Sequence, residues 1–203
     1  NQRSEMLSGI SHDLRTPLTR LKLQLALIKQ QDLAKKMTDD IEEMEKMLNE
    51  YLEFAKYQKN EETETVNLNL IIKEVVKKYE NSKINFFVDQ DLKISIRPNS
   101  IKRCLGNLLD NSLSYGKQVE ISAKKTANNV IICVDDNGPG ISESEYQNVM
   151  KPFYRIDKSR GQNKSGVGLG LSISNDIIRS HGGGIFLDKS LMGGLRVKIS
   201  LPL

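Results

Sequence analysis

The stretch "NVIICVDDNGPG", Asn129–Gly140, decides how the larger part of this chain is read. Val130 to Val134 is an apolar, β-branched run of strand length, the composition that suits a strand inside a sheet. It ends in Asp136, and "DNGPG" follows. A carboxylate at a strand end, beside glycines that let backbone approach a flat ligand, suits acceptance of a hydrogen bond from an exocyclic amine. A simple turn would look much the same, so the neighbourhood has to decide. Outward from this run lie further β-type runs, "INFFV", "KISI" and "VEISAK" before it and "GIFLD" and "LRVKISLPL" after it. Helical runs alternate with them: "LIIKEVVKKY", "IKRCLGNLLDNSLSY" and "LGLSISNDIIRSH". The last two β-runs are separated only by the hairpin-like "KSLMGG". The pattern predicts a mixed sheet with helices on one face, an α/β sandwich.

The first part of the chain has another period. Ile10, Leu14, Leu18, Leu21, Leu25 and Ile28 recur at alternating spacings of four and three, as do Leu33, Met37, Ile41, Met44, Leu48, Tyr51 and Ala55 after the polar break "KQQD". Two such stripes joined by a few residues predict an antiparallel helical hairpin, and a hairpin alone leaves much of each stripe wet. A second copy, completing a four-helix bundle as a homodimer, is the expected partner. Around "KNEETET" the apolar residues vanish. The expected organisation is therefore a hairpin over 1–60, a linker over 61–66 and the α/β domain over 67–203.

Composition narrows the class. With 203 residues, 38% hydrophobic, 28% charged and a net charge of +4, the chain reads as soluble and folded, and a general nucleic-acid binder is not indicated. The dense basic stretch runs from Arg155 to Lys164, a composition that leaves room for a local anion site. Cys104 and Cys133 sit in apolar runs, which predicts buried free thiols in a reducing compartment. No apolar run reaches the ~20 residues of a membrane span. The chain starts in mid-pattern, so it is expected to be a fragment of something longer.

Three features carry candidate chemistry. On the first helix His12 lies about 160–200° from Ile10 and Leu14, facing away from the seam, with Thr16 one turn on and Asp13 adjacent. An exposed neutral imidazole is a competent nucleophile, although an isolated surface histidine is more often a plain polar residue. Pro17 removes a ladder bond and predicts a kink beside it, at a cost of roughly 3 kcal/mol. Asn107 and Asn111 stand at i and i+4 on an otherwise apolar helix, suited to a hard cation or a phosphate, and two solvated amides explain them equally well. Gly166, Gly168 and Gly170 open a helix whose N-terminus favours an anion, in a spacing that matches neither the P-loop nor the dinucleotide fingerprint.

The order of these clusters says more than any one of them. "SHDLRTPL", "NLLDNSLSYG", "DDNGPGI", "KPFYR" and "GVGLGLSI" closely resemble, in order and spacing, the H, N, G1, F and G2 boxes of two-component sensor histidine kinases, over nearly the whole chain. "SHDLRTPLTRL" looks most like the subgroup of the osmosensor EnvZ. The resemblance implies a dimerisation and histidine-phosphotransfer hairpin followed by an ATP-binding domain of the Bergerat type. It implies that His12 is the phosphoacceptor, that Asp13 assists the attack, and that Thr16 orients water when the enzyme dephosphorylates its partner. Asn111 would hold Mg²⁺, Asn107 would line the phosphate side, and Asp136 would bind adenine beside Gly138 and Gly140. Phe153 would anchor a lid, Gly166, Gly168 and Gly170 would frame the triphosphate, and Tyr115, Arg155 and Leu171 would complete the nucleotide site. Ser114 departs from the pattern, since the family often has a basic residue there; Lys117 or Arg155 would have to replace it.

The implied activity is ATP-dependent autophosphorylation of His12, then phosphotransfer to an aspartate of a response-regulator receiver domain, with phosphatase activity on that regulator. The implied setting is the cytoplasmic portion of an inner-membrane protein. A clamp-type ATPase sharing the nucleotide site is the alternative, and it would turn over ATP without labelling the protein.

Overall fold

The computed structural model describes residues 17–25, 33–35, 37–42, 44–45, 48, 61–80, 82–89, 91–156 and 168–203. The chain divides into two compact units, residues 1–60 and 61–203.

In the first unit residues 17–25 are helical, as are the described residues between 33 and 48. Leu18, Leu25 and Ile41 form a buried apolar cluster between these segments. Lys22 crosses from one to the other, donating to Glu45 Oε2 at 2.7 Å with Glu42 at 3.8 Å. Leu21, Leu33, Met37 and Met44, members of the same stripes, stay exposed. A helix seam buried on one side only is what two helices without further partners must leave. Pro17 lies within the helical segment. The kink expected upstream of it lies outside the described residues.

The second unit is the α/β sandwich. Its strands are β1 (Glu64–Asn67), β2 (Lys83–Val88), β3 (Lys93–Ile96), β4 (Gln118–Lys125), β5 (Asn129–Asp136), β6 (Gly184–Lys189) and β7 (Leu195–Pro202). Its helices are α1 (Leu68–Val76), α2 (Pro98–Tyr115) and α3 (Gly170–Ser180). Five strands make one mixed sheet in the order β2-β4-β5-β7-β6, in which β2 and β4 are parallel and every other neighbour is antiparallel. "KISI" does not join it: β3 pairs with β1 in a separate antiparallel ribbon. The same pairing corrects the expected linker over 61–66. Glu64 to Val66 lie in β1, because their backbone groups find partners on Ile94 to Ile96.

Register explains the layering. Phe86, Ile121, Val134, Val197 and Leu187 form one row across all five strands, and Val88, Ala123, Ile132, Ile199 and Ile185 form another. Side chains alternate along a strand, so these rows share one face. Helix α2 covers that face with Ile101, Cys104, Leu105, Leu108 and Leu109, all buried, and α3 adds Ile173, Ile177 and Ile178. Helices therefore lie on one face, and the opposite face carries Ser122, Cys133 and Lys198 between the exposed Phe87 and Phe186.

Both thiols are free, but only Cys104 is buried; Cys133 is half-buried because the pleat turns it to the open face. Burial pushes the Cys104 thiol up to about 12. No helix among the described residues is long and apolar enough to cross a membrane.

Candidate nucleotide-binding site

The pleat that buries Val130, Ile132 and Val134 also decides where the two consecutive carboxylates of β5 go. Asp135 turns to the open face, where Arg196 Nε donates to its Oδ1 at 2.8 Å. Asp136 turns to the helix-covered face, opposite Val119, and is 3% exposed. A buried carboxylate needs hydrogen-bond donors. Oδ1 of Asp136 accepts the backbone N–H of Gly138 at 2.8 Å and of Leu195 at 3.1 Å. Two fixed amides hold the carboxylate in one orientation.

Three glycines make room around it. A Cβ on Gly138 would come 2.9 Å from Asp136 Oδ1 and 3.0 Å from the carbonyl oxygen of Tyr115. On Gly194 it would fall 2.0 Å from the same Oδ1. Gly140 has φ +67° and passes close to the Gly194 carbonyl, where a Cβ would sit at 3.3 Å. Asn137 ties the loop to the end of α2: its Oδ1 accepts the N–H groups of Lys117 and Gln118 at 2.8 and 2.9 Å.

Asn107 and Asn111 stand one turn apart on α2, half-buried at the edge of its apolar stripe. Asn107 Nδ2 lies 3.5 Å from the carbonyl oxygen of Gly170, the first residue of α3. The Asn107 amide and the N-terminus of α3 are thus brought together. Gly168 has φ +79°, and its carbonyl oxygen accepts the N–H of Phe153 at 3.0 Å. Phe153 itself has φ +64° and is exposed. The Phe153–Gly168 bond joins the described chain on either side of residues 157–167, which lie outside the described residues, and Arg155 near it is half-buried. Tyr154, next to Phe153, donates to Glu145 Oε2 at 2.6 Å. Tyr115 is partly exposed at the end of α2 and Leu171 half-buried in the first turn of α3. Gly166 lies outside the described residues, as do His12, Asp13 and Thr16.

Ser114 turns back on its own helix, Oγ donating to the Asp110 carbonyl at 2.7 Å. Lys117 lines an open cleft with Ser82, Lys83, Leu113, Gln118 and Asn137.

The chain has two histidines, and the second is fully engaged. His181 Nε2 accepts the backbone N–H of Arg97 at 3.1 Å and its Nε at 3.3 Å. Nε2 is therefore unprotonated, and Nδ1 carries the proton that goes to the Ile177 carbonyl at 2.8 Å.

Asn137, Gly194 and Leu195 were not among the residues expected from sequence. Asn137 sits inside "DNGPG" and an Asx turn there was a usable signal. For the contact of Gly194 and Leu195 with Asp136, 59 residues away in the case of Leu195, the sequence carries none.

A buried strand-end carboxylate held by backbone amides and ringed by glycines, on an α/β sandwich whose helix amide meets the start of a second helix, suits a nucleotide. Solved structures agree: the catalytic domain of the histidine kinase ThkA superposes with a TM-score of 0.61 at 28% identity, covering 70% of this chain and 95% of that one. Full-length ShkA in complex with AMPPNP is similar in fold, with a TM-score of 0.72 at 20% identity over 98% of this chain and 45% of that one. Residues 96–203 match the model of the histidine kinase-, DNA gyrase B-, and HSP90-like ATPase family, to which the chain belongs, and residues 2–60 match the His Kinase A (phospho-acceptor) domain. Among curated relatives, the sensor histidine kinase GtrS of Pseudomonas aeruginosa is 37% identical over 204 residues, covering 100% of this chain and 42% of the relative. The sensor histidine kinase CpxA of Escherichia coli K12 is 33% identical over 212 residues, covering 98% and 46%. The chain spans under half the length of these relatives. Its two domains are those of a sensor histidine kinase.

Proposed function

We propose that this chain is the kinase portion of a two-component sensor, which transfers the γ-phosphoryl group of ATP to His12 and from there to an aspartate of a response-regulator receiver domain. The observation that carries this reading is the fixed carboxylate of Asp136. With Oδ1 held by the amides of Gly138 and Leu195, the carboxylate keeps a second oxygen with which to accept from the amino group of adenine. The glycines fit a flat base, because a Cβ at Gly138 or Gly194 would collide with that carboxylate. AMPPNP in the complex of the fold relative ShkA is consistent with an adenine nucleotide in this place.

Asn107 and the N-terminus of α3 then lie on the phosphate side, where exposed backbone N–H groups and the helix dipole favour an anion. Asn111, one turn on, offers an amide oxygen to Mg²⁺, and the ion when bound offsets charge on the phosphates. Phe153, whose N–H bonds the Gly168 carbonyl oxygen, would anchor a lid over the triphosphate, with the basic residues that follow it in sequence supplying positive charge. Catalysis of this kind is mostly positioning and electrostatics.

His12 lies within the phospho-acceptor match, and the engagement of both ring nitrogens of His181 supports His12 as the acceptor. Asp13 assists its attack. We assign the domains as histidine phosphotransfer over 1–60 and ATP binding over the second unit, 61–203, with a second copy covering the exposed Leu21, Leu33, Met37 and Met44 in a homodimer. The chain is placed on the cytoplasmic side of a membrane sensor, where free thiols persist. The subgroup placement beside EnvZ rests on "SHDLRTPLTRL" alone.

Incubation with γ-labelled ATP and Mg²⁺ tests the kinase: acid-labile label lost in His12→Gln is expected, and label retained in that variant sinks it. Phosphatase activity is tested separately. Thr16→Ala should slow regulator dephosphorylation while sparing autophosphorylation; equal loss of both refutes the division of labour.

A further inference from the structure

Helix α2 starts without a cap of its own. Arg97, at the N-cap, makes no capping bond, and Pro98 takes the first helical position. The N–H groups of Asn99 and Ser100 must be satisfied from elsewhere. Glu61 does it. Its Oε1 accepts the N–H of Asn99, while Oε2 accepts the N–H of Ser100 at 2.9 Å and the Ser100 hydroxyl at 2.6 Å. A carboxylate is the favoured charge at that end of a helix. Glu61 is also the first residue of the second unit, so the cap of α2 is covalently the end of the chain arriving from residue 60.

A second tie lies beside it. Arg97 donates to His181 Nε2 from both its backbone N–H and its Nε, and Nη2 bonds the hydroxyl of Ser180. The N-terminus of α2 is thereby joined to the C-terminus of α3. Further along, Ser174 Oγ lies 3.5 Å from the Cys104 carbonyl, and at the other end Asn107 meets Gly170. The two helices run antiparallel, with their near ends held at Glu61 and Arg97 and their far ends at the nucleotide site. A helix is stiff along its axis, so a displacement at Ser100 is carried to Asn111, about 16 Å away.

Resting on the kinase reading above, we propose that Glu61 is a positioning residue: it clamps the chain arriving from the histidine-bearing unit onto α2 and, through Arg97, α3, and so sets phosphoryl transfer rather than nucleotide binding. Affinity is built from Asp136 and the glycines at the far ends, which Glu61 does not touch. Transfer needs the γ-phosphate held in line with a nucleophile from the other unit, and the covalent path between the units runs through residues 60 and 61.

The test uses the whole chain, residues 1–203, with single-turnover labelling by γ-labelled ATP and ADP affinity by calorimetry. Three variants are compared: Glu61→Ala, four glycines inserted between Asn60 and Glu61, and the neighbouring control Glu62→Ala. The insertion leaves Glu61 and its partners unchanged and lengthens only the connection before it, so it keeps the proposal testable if Glu61→Ala folds poorly. Expected are labelling rates lower by about tenfold or more in the first two, ADP affinity within about twofold of wild type, and no change in the control. Wild-type labelling by Glu61→Ala overturns the proposal. So does a variant that loses ADP affinity in step with its rate while the insertion labels normally, since that is the behaviour of a purely structural cap. A wild-type chain that binds ADP and labels nowhere overturns the kinase reading and this proposal with it.

Discussion

Gly194 donates its backbone N–H to the carbonyl oxygen of Asp136 at 3.1 Å, and a Cβ built on Gly194 would lie 2.0 Å from the Oδ1 of that same aspartate. The carboxylate assigned to adenine and a glycine of the β6–β7 hairpin occupy one place in space, and the orientation of one depends on the absence of a side chain on the other. Gly194→Ala must therefore push Asp136 or the hairpin aside. ADP affinity should fall about tenfold, equivalent to about 1.4 kcal/mol, as measured by calorimetry. Asp136→Asn should lose at least as much, because an amide turned towards adenine presents a donor to a donor.

Phe153 and Gly168, joined by a backbone hydrogen bond, both have positive φ. At Gly168 a side chain would meet both left-handed strain and the Tyr154 carbonyl oxygen, 3.0 Å from the added Cβ. Gly168→Ala should cost about 1–2 kcal/mol. The readout is the rise in melting temperature on adding ADP with Mg²⁺, which should shrink relative to wild type.

Leu109 is fully buried under α2 at 0% exposure. Leu109→Ala should lower unfolding stability by about 2–5 kcal/mol, with the denaturation midpoint falling and the slope unchanged. Retention of the wild-type midpoint would mean that α2 is not packed on the sheet as described.

His181 gives the chain a pH dependence that can be isolated. Burial pushes its pKa below the ordinary 6.5, the Ile177 carbonyl and Glu61 acting the other way and Arg97 with burial. A folded pKa below the unfolded one means that the unfolded chain takes up the proton first. The contribution to stability is therefore fully present above about pH 6.5 and is lost as pH falls through the folded value. Wild type should lose stability relative to His181→Gln between pH 7 and pH 5, measured by denaturation at each pH. A difference independent of pH would show that the imidazole does not titrate in the native state.

Much of this was legible in the sequence because it depends on local periodicity. Alternation along β5 puts Asp136 on the same face as Val130, Ile132 and Val134, so its inward direction follows from counting by twos. The i and i+4 spacing of Asn107 and Asn111 places them on one side of a helix in the same way. The "KSLMGG" hairpin between β6 and β7 was equally local.

What the sequence by itself determined is thus the identity of most elements, β1 excepted, and the order of the motifs, since backbone geometry repeats every 2 or 3.6 residues whatever lies elsewhere. What only the tertiary structure decided are the pairings between residues far apart in the chain. "KISI" left the main sheet for β1, Leu195 supplied an amide to Asp136, and Glu61 became the cap of a helix starting at Pro98. Each satisfies a backbone or carboxylate group that needs a partner but does not specify which, and only the closed packing of helices on the sheet brings one within reach.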